Sequence, residues 1–385
     1  MTATRHYHAP DGTFRKVLAA HQVHRELAGW RAVAGLLPVP RLLGVRETGD
    51  EREIVYEDVF ASGRCTALLA DLINGADRDP AQIPTVHALV SQVCDSLLAA
   101  AQATRATRRL DECVPDLHLT RLVPGGRLDR WYTHGRPAWT LGGQMLSASD
   151  LACRTLVANG RELGSAWPVD LPALRVDLAP HTRWATAITQ GDVTEPNIAA
   201  PVCWLDFEHA GRNALASDAA TFLWYLLGMG GWLVPAYQPN VYKRTLRNPI
   251  RPATSPLVGQ VSVTRRRVEI SYSWRAGAGR QAALATLLHR LGSELGTVLA
   301  PSGDAAAILR PFLAVRILGV IRLAQMSGLH ALACLAKLAE LTHPAWDLGA
   351  WCAVAPIAFP PARLPAPRPA VASAVAPEEP AEGAA

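Results

Sequence analysis

Lysine is almost missing from this chain. Only Lys16, Lys243 and Lys337 occur among 38 basic residues, so nearly all positive charge is Arg. Where Arg is the default, a retained Lys marks a position that asks for a compact point charge, and chance retention is the bland alternative. Basic runs are missing too. None is longer than Arg265-Arg-Arg267 and the net charge is only +5, which argues against a nucleic-acid surface. Cysteine numbers seven, an odd count with no CxxC pair, so neither a disulfide frame nor a zinc site is expected. Reduced, mostly buried thiols of a cytoplasmic protein are expected instead. The first ten residues contain no apolar run of the kind that leads a secretory signal. No P-loop lysine motif, HExxH or GxSxG is present, which removes three large enzyme classes.

What is present suits a protein of more than one part. At 385 residues, 49% of them hydrophobic, the chain can hold two or three cores. The stretch Ala219 to Tyr237 is uncharged and long enough to span a bilayer. Gly228, Gly230, Gly231 and Pro235 interrupt it, so a buried core helix ending at the glycines is expected, and no membrane span. Arg310, Arg316 and Arg322 likewise cut the apolar run from Ile308 to Leu341 and mark it as a soluble helix.

Residues 4–18 read as a hairpin about the turn Pro10-Asp-Gly12. A helix from Ala20 to Leu37 follows, with Val23, Leu27, Trp30, Ala34 and Leu37 at helical spacing and Glu26 at the edge of the stripe. Pro38 and Pro40 stop it. Leu42 to Arg46 and Glu53 to Val59 read as strands. After Cys65 helical patterns dominate: Thr85 to Ala101, Asp150 to Asn159, and two long helices at 279–299 and 304–341. Hairpins are expected at 136–147 and 257–274, and short strands at Thr186 to Thr189 and Val202 to Leu205. From Pro360 the composition has little to bury, and a disordered tail is expected. The expected organisation is therefore a small lobe at 1–62, a helical lobe at 63–359 and a tail at 360–385.

The most informative segment is Gln190-Gly-Asp-Val-Thr-Glu-Pro-Asn197, followed by Asp206. An Asp, an Asn and a second Asp bracket two short strand-like runs. Phosphoryl transfer needs a carboxylate for the hydroxyl proton, an amide and a carboxylate for Mg2+, and a rigid frame. An ordinary loop, with Asp192 capping a turn and Asn197 bonding backbone, is the bland reading. Upstream, Lys16 on a strand and Glu26 on the next helix match a pair that holds nucleotide phosphates in one kinase class. Gly277-Ala-Gly-Arg-Gln-Ala282 matches a dinucleotide fingerprint, but its strand reads as half of an antiparallel hairpin, so a Gly-rich helix entry is expected. His6, His8, His21 and His24 read as surface histidines.

In order, Lys16, Glu26, Leu37-Pro-Val-Pro-Arg-Leu-Leu-Gly44, Ile54-Val-Tyr-Glu-Asp58, Gln190 to Asn197, Leu205-Asp-Phe-Glu-His-Ala-Gly211 and Asp218 resemble the aminoglycoside phosphotransferase-like (phosphotransferase enzyme) family. The resemblance is strongest over 188–225. It implies an α+β, protein-kinase-like two-lobe fold, here with a truncated N-terminal sheet lobe and a larger helical lobe. It implies ATP and Mg2+ as cofactors and transfer of phosphate to a hydroxyl. By that likeness Asp192 is the catalytic base, and Asn197 and Asp206 are the metal ligands. Lys16 and Glu26 anchor phosphate, the backbone of Glu57 to Val59 meets adenine, and Asp218 braces the loop, with Gln190 where the family usually has His. The family's range allows a small-molecule antibiotic, a sugar or a natural-product peptide as acceptor, in resistance or biosynthesis. The hairpin at 257–274 and the helices after 275 are expected to shape the acceptor site. A protein partner completing the site is also allowed by the likeness. The alternative is a pseudokinase-like binding module without transfer.

Overall fold

The computed structural model describes residues 5–48, 51–115, 117–133, 137–241, 256–273, 276–300 and 304–345. Lys243 and the tail expected at 360–385 lie outside them.

The small lobe is a four-stranded antiparallel sheet with one helix. Strands β1 (Arg5–His8) and β2 (Thr13–Ala19) form the expected hairpin. Gly12 turns it at φ +75°, a conformation open to glycine, and the Asp11 carboxylate accepts the Thr13 N–H at 3.1 Å. Helix α1 (Ala20–Val33) follows, then β3 (Leu42–Thr48) and β4 (Glu51–Glu57), in sheet order β1-β2-β4-β3. Lys16 stands opposite Ile54 in this register. Helix α1 is one turn shorter than its apolar spacing suggested. Ala34 caps it at Val33, so Leu37 enters the core from the turn that leads to Pro38. Its buried stripe is Val23, Glu26, Gly29 and Val33, with a carboxylate among apolar neighbours. At Gly29 the helix lies against the Phe207 carbonyl, where a Cβ would come within 1.9 Å of the oxygen.

The larger lobe is mainly helical. Its longest helices are Ile83–Thr104, Ala278–Leu291, Ala305–Val320 and Gly328–Thr342. Ala305–Val320 packs against Leu215–Trp224, all ten residues of which are buried, and Ile83–Thr104 packs against Ala278–Leu291. Arg183–Thr189 is the centre of a three-stranded antiparallel sheet between Ala106–Arg109 and Gly211–Ala214. A tiny sheet, Ala67–Leu68 with Ile198–Ala200 and Cys203–Trp204, sits beside it.

Four expectations fail here for identifiable reasons. The helix expected at Asp150 to Asn159 is a single turn, Ala148–Ala152, followed by strand Thr155–Ala158. Asn159 and Gly160 take φ +52° and +82°, the two-residue turn that Asn-Gly favours, and return the chain as Arg161–Ser165. That hairpin joins Leu257–Val263 and Arg267–Ser273 in one four-stranded sheet. The helix through Ala219 does not end at its glycines. It continues with wider π turns over Tyr225–Leu233 into Val234–Tyr237. Gly230 is there for close approach, since a Cβ would lie 2.6 Å from a Glu195 carboxylate oxygen. Finally, each long C-terminal helix is two: Gly292 and Ser293 break the first, and a 3-10 turn at Leu323–Gln325 with the Ser327 cap breaks the second.

Among the described residues, two helices reach the length and apolarity of a bilayer span, Pro80–Thr104 and Leu215–Tyr237. In the second, 89% of the span window is buried inside the fold, as expected of a core helix. Among the described residues no disulfide occurs; Cys65, Cys94, Cys113, Cys203 and Cys334 are buried free thiols and Cys153 is exposed. Burial pushes Cys94 and Cys203 up to about 12.

Candidate active site

A cleft of about 440 Å³ separates the lobes. Lys16, Glu26, Glu57, Val59, Asn197 and Asp206 all line it, although 190 positions separate Lys16 from Asp206. The apolar wall comes from Phe14, Val59, Phe60, Leu68 and Leu205.

Lys16 is the junction. Its Nζ donates to Glu26 Oε2 at 2.7 Å and also to Asp206 Oδ1. Burial opposes its charge, but Asp206 and Glu26 together outweigh burial and raise its pKa above the usual lysine value. Glu26 is held by further donors: the Tyr56 hydroxyl at 3.2 Å and the Phe207 N–H at 3.3 Å. Burial raises the Glu26 pKa, with Lys16 pulling the other way.

The loop after strand Arg183–Thr189 carries Asp192. Gly191 has φ +84°, and a Cβ there would come within 2.0 Å of the His209 carbonyl oxygen, so the turn requires glycine. Gln190, fully buried, fastens both halves of the motif. Its Nε2 donates to the Leu205 carbonyl at 2.9 Å and to the Asp206 carbonyl at 2.5 Å, while its Oε1 accepts the Asp192 N–H at 2.9 Å. Asn197 Nδ2 donates to the Asp192 carbonyl at 3.0 Å, so the amide oxygen is the atom with which this side chain could meet a cation. The Leu205 N–H meets the Asn197 carbonyl at 2.9 Å, drawing Asn197 and Asp206 side by side. Asp206 takes φ +61°, a left-handed conformation that Asp tolerates better than most side chains.

Glu57 and Val59 sit at the join between lobes. Asp58 between them accepts the N–H groups of Phe60 and Ala61 at 2.9 and 3.1 Å, and meets His8 Nδ1 at 2.5 Å. His8, His21 and His24 are exposed and His6 is half-buried, in keeping with surface residues; of these, His6 and His8 line the cleft. Their placement follows from the β1–β2 register, which sets His6 opposite Lys16 and His8 opposite Phe14. No cluster of three His, Cys, Asp or Glu side chains suited to a metal occurs among the described residues. An Asn–Asp pair nonetheless fits Mg2+, which takes one or two protein oxygens together with phosphate and water.

Asp218 is buried in the central helix, and burial pushes its pKa up to about 7, with the Thr189 hydroxyl holding it lower than burial alone would. It therefore stands beside Thr189, the residue that leads into Gln190, and makes no hydrogen bond to the loop backbone.

Two partners of this loop escaped the sequence. Arg316, on the helix Ala305–Val320, donates from Nη2 to Asp192 Oδ1 at 3.1 Å. Arg280 binds both oxygens of Glu195, with Nη2 to Oε2 at 3.0 Å, and neither side chain is exposed to more than 1%. The available signal was an Arg within an apolar helical stripe, which needs a buried acid. The Gly277 to Ala282 motif proves to be a helix entry whose N-terminus is taken by Asp77: its Oδ1 accepts the Gly279 and Arg280 N–H groups at 2.9 and 3.2 Å. Of the segments expected at the acceptor side, the 257–273 hairpin supplies no lining residue to the cleft and instead packs Tyr272 on Glu340, at 2.5 Å.

No family model matches the chain, and no curated protein does. Among solved structures, it is similar to an aminoglycoside-3'-phosphotransferase of type VIII, with 20% identity over 56% of this chain and 70% of that one at a TM-score of 0.33. An aminoglycoside phosphotransferase from Streptomyces rimosus gives 13% identity over 89% and 90% at 0.33. A glucosamine kinase in complex with glucosamine, ADP and inorganic phosphate gives 14% over 89% and 74% at 0.39. These overlaps are loose, and the small antiparallel sheet, the helical lobe and the cleft between them are what define the chain as a two-lobe α+β protein.

Proposed function

We propose that this chain is an ATP-dependent phosphotransferase that moves the γ-phosphate to an alcohol group of a small molecule or natural-product peptide. The observation that carries the reading is the Lys16 ammonium bonded at once to Glu26 of its own lobe and to Asp206 of the other. Two carboxylates around one lysine across an interlobe cleft serve phosphate and cation together.

In this reading Lys16, oriented by Glu26, holds the nucleotide phosphates. The apolar wall at Phe14, Val59 and Leu68 receives the adenine, with the backbone of Glu57 to Val59 along its edge. Asn197 and Asp206 are the residues that would hold Mg2+, and the ion supplies neutralisation of phosphate charge. Asp192 accepts the proton of the acceptor hydroxyl as its oxygen bonds to phosphorus and the bond to the ADP oxygen breaks. Gln190 keeps the loop in register for this, in the place where the family usually has His. Asp218 supports the loop from beneath through Thr189.

An acceptor screen with ATP, read by mass spectrometry, tests the reading. Asp192→Ala and Asp206→Ala are each expected to lose at least about 100-fold in turnover. Wild-type turnover in either variant refutes its role. Absence of Mg2+-dependent ATP binding by calorimetry, with or without partners, sinks the enzyme reading and favours a binding module.

A further inference from the structure

The helix Ala305–Val320 is apolar on nearly every face, and most of its residues are buried. Arg316 sits among them at 3% exposure. A guanidinium carries five N–H donors. The bond to Asp192 Oδ1 at 3.1 Å uses one, and Nε is buried without a partner. Burying a cation this deeply costs several kcal/mol unless its charge and donors are met. A purely structural ion pair would be closed at both ends. This one is open at one end, with the Arg316 side chain 4% exposed and the Asp192 side chain 23%. The open end is the carboxylate, where a hydroxyl must arrive.

Positive charge is also concentrated one turn further along the same helix. Arg127 Nη1 donates to the Gly319 carbonyl at 2.9 Å. A Cβ on Gly319 would lie 3.1 Å from Arg121 Nη1, so this glycine seats a second guanidinium. Three arginines therefore gather about the last turns of this helix, and burial with the nearby Arg316 and Arg121 charges holds His118 neutral. Asp129, the acid nearby, is already paired with Arg175 at 2.6 Å.

We propose that Arg316 is a positioning residue for the transfer: from within the core it holds the Asp192 carboxylate aimed at the acceptor hydroxyl, with the Arg121 and Arg127 charges behind it. This rests on the phosphotransferase reading. It assigns to a helix more than 100 residues downstream of the loop the aim of the base that such a transfer requires.

The test uses the full chain with MgATP and water as the acceptor, following ADP release, and calorimetry of ATP binding. Arg316→Met is expected to lower kcat at least about 100-fold while KM for ATP changes less than about threefold. Arg316→Lys returns a point charge and is expected to recover about tenfold of that loss. Equal turnover in the Met and Lys variants overturns the proposal, as does a raised KM with kcat retained. Where Arg316→Met no longer binds ATP, the comparison of Arg316→Lys with the wild type decides, and unchanged turnover there overturns it. Asp192→Asn run in parallel separates the two ideas. Loss in Asp192→Asn without loss in the Arg316 variants removes this inference alone. No ATP turnover by the wild type removes both.

Discussion

Gly230 offers a sharp test because two effects of known size oppose each other there. In an exposed helix Gly→Ala stabilises by about 1 kcal/mol through backbone entropy and propensity. At Gly230 the added methyl would stand 2.6 and 2.7 Å from the two Glu195 oxygens and 2.8 Å from the carboxyl carbon. That carboxylate has nowhere to go, because both oxygens are held by Arg280 and Arg280 Nη1 is itself tied to the Leu226 carbonyl at 3.1 Å. Overpacking of this kind costs about 3 kcal/mol at the upper end of its range. Subtracting the propensity gain leaves Gly230→Ala about 2 kcal/mol less stable. For a chain of this size that lowers Tm by roughly 2–3 °C. Glu195 also lies between Asp192 and Asn197, so turnover is expected to fall more than stability accounts for. Thermal unfolding and urea titration of the purified variant measure the first effect. A Tm equal to or above the wild type refutes the reasoning, since it means that the Glu195–Arg280 pair yields freely.

Lys16→Met leaves Glu26, 1% exposed, with a buried charge and no cation, and is expected to cost about 3–5 kcal/mol in urea unfolding at pH 7. The double variant Lys16→Met with Glu26→Gln should recover most of that loss, and a double variant no more stable than Lys16→Met would contradict the charge argument. Asp218 makes stability depend on pH. Its pKa is raised from the ordinary 3.8 to about 7, so the folded protein binds the extra proton. Its contribution is full below about pH 4, declines as pH rises towards 7 and is gone above it. Asp218→Asn should therefore lack a decline of roughly 2–3 kcal/mol between pH 5 and pH 8. Urea midpoints of both proteins at those two pH values check it, and parallel pH dependences would show that Asp218 is not held protonated.

The small lobe was legible because its signals are local. Pro10-Asp-Gly12 dictates a hairpin, the spacing of Val23, Leu27 and Trp30 dictates a helix, and Pro38 and Pro40 stop it. Even the scarcity of Lys was informative: Lys16 and Lys337 are both buried against carboxylates, Glu26 and Glu340. The cleft partners were legible by type and order, and the fold brings Lys16, Glu26, Asn197 and Asp206 together. The larger lobe was less legible where long-range packing decides. Asn159-Gly160 carried a hairpin signal that a helical reading of its flanks concealed. The glycines after Tyr225 look like breakers, yet the helix passes through them, with Gly230 making room for Glu195 and Gly228 for the Trp224 ring. Arg316 and Arg280 meet their acids 124 and 85 positions away, and no spacing rule reaches that far.

The contact at Gly29 has a mechanical consequence. Helix α1 has no side chain between its backbone and the Phe207 carbonyl, and Glu26, one turn earlier, accepts the Phe207 N–H. Asp206 is the neighbour of Phe207 in the chain. Any shift of α1 therefore carries Phe207 and Asp206 with it, so the carboxylate beside Lys16 on the helix and the one across the cleft move as a single degree of freedom. A ligand that draws on Asp206 pulls on the helix, and a partner that presses on α1 repositions Asp206 without touching the cleft.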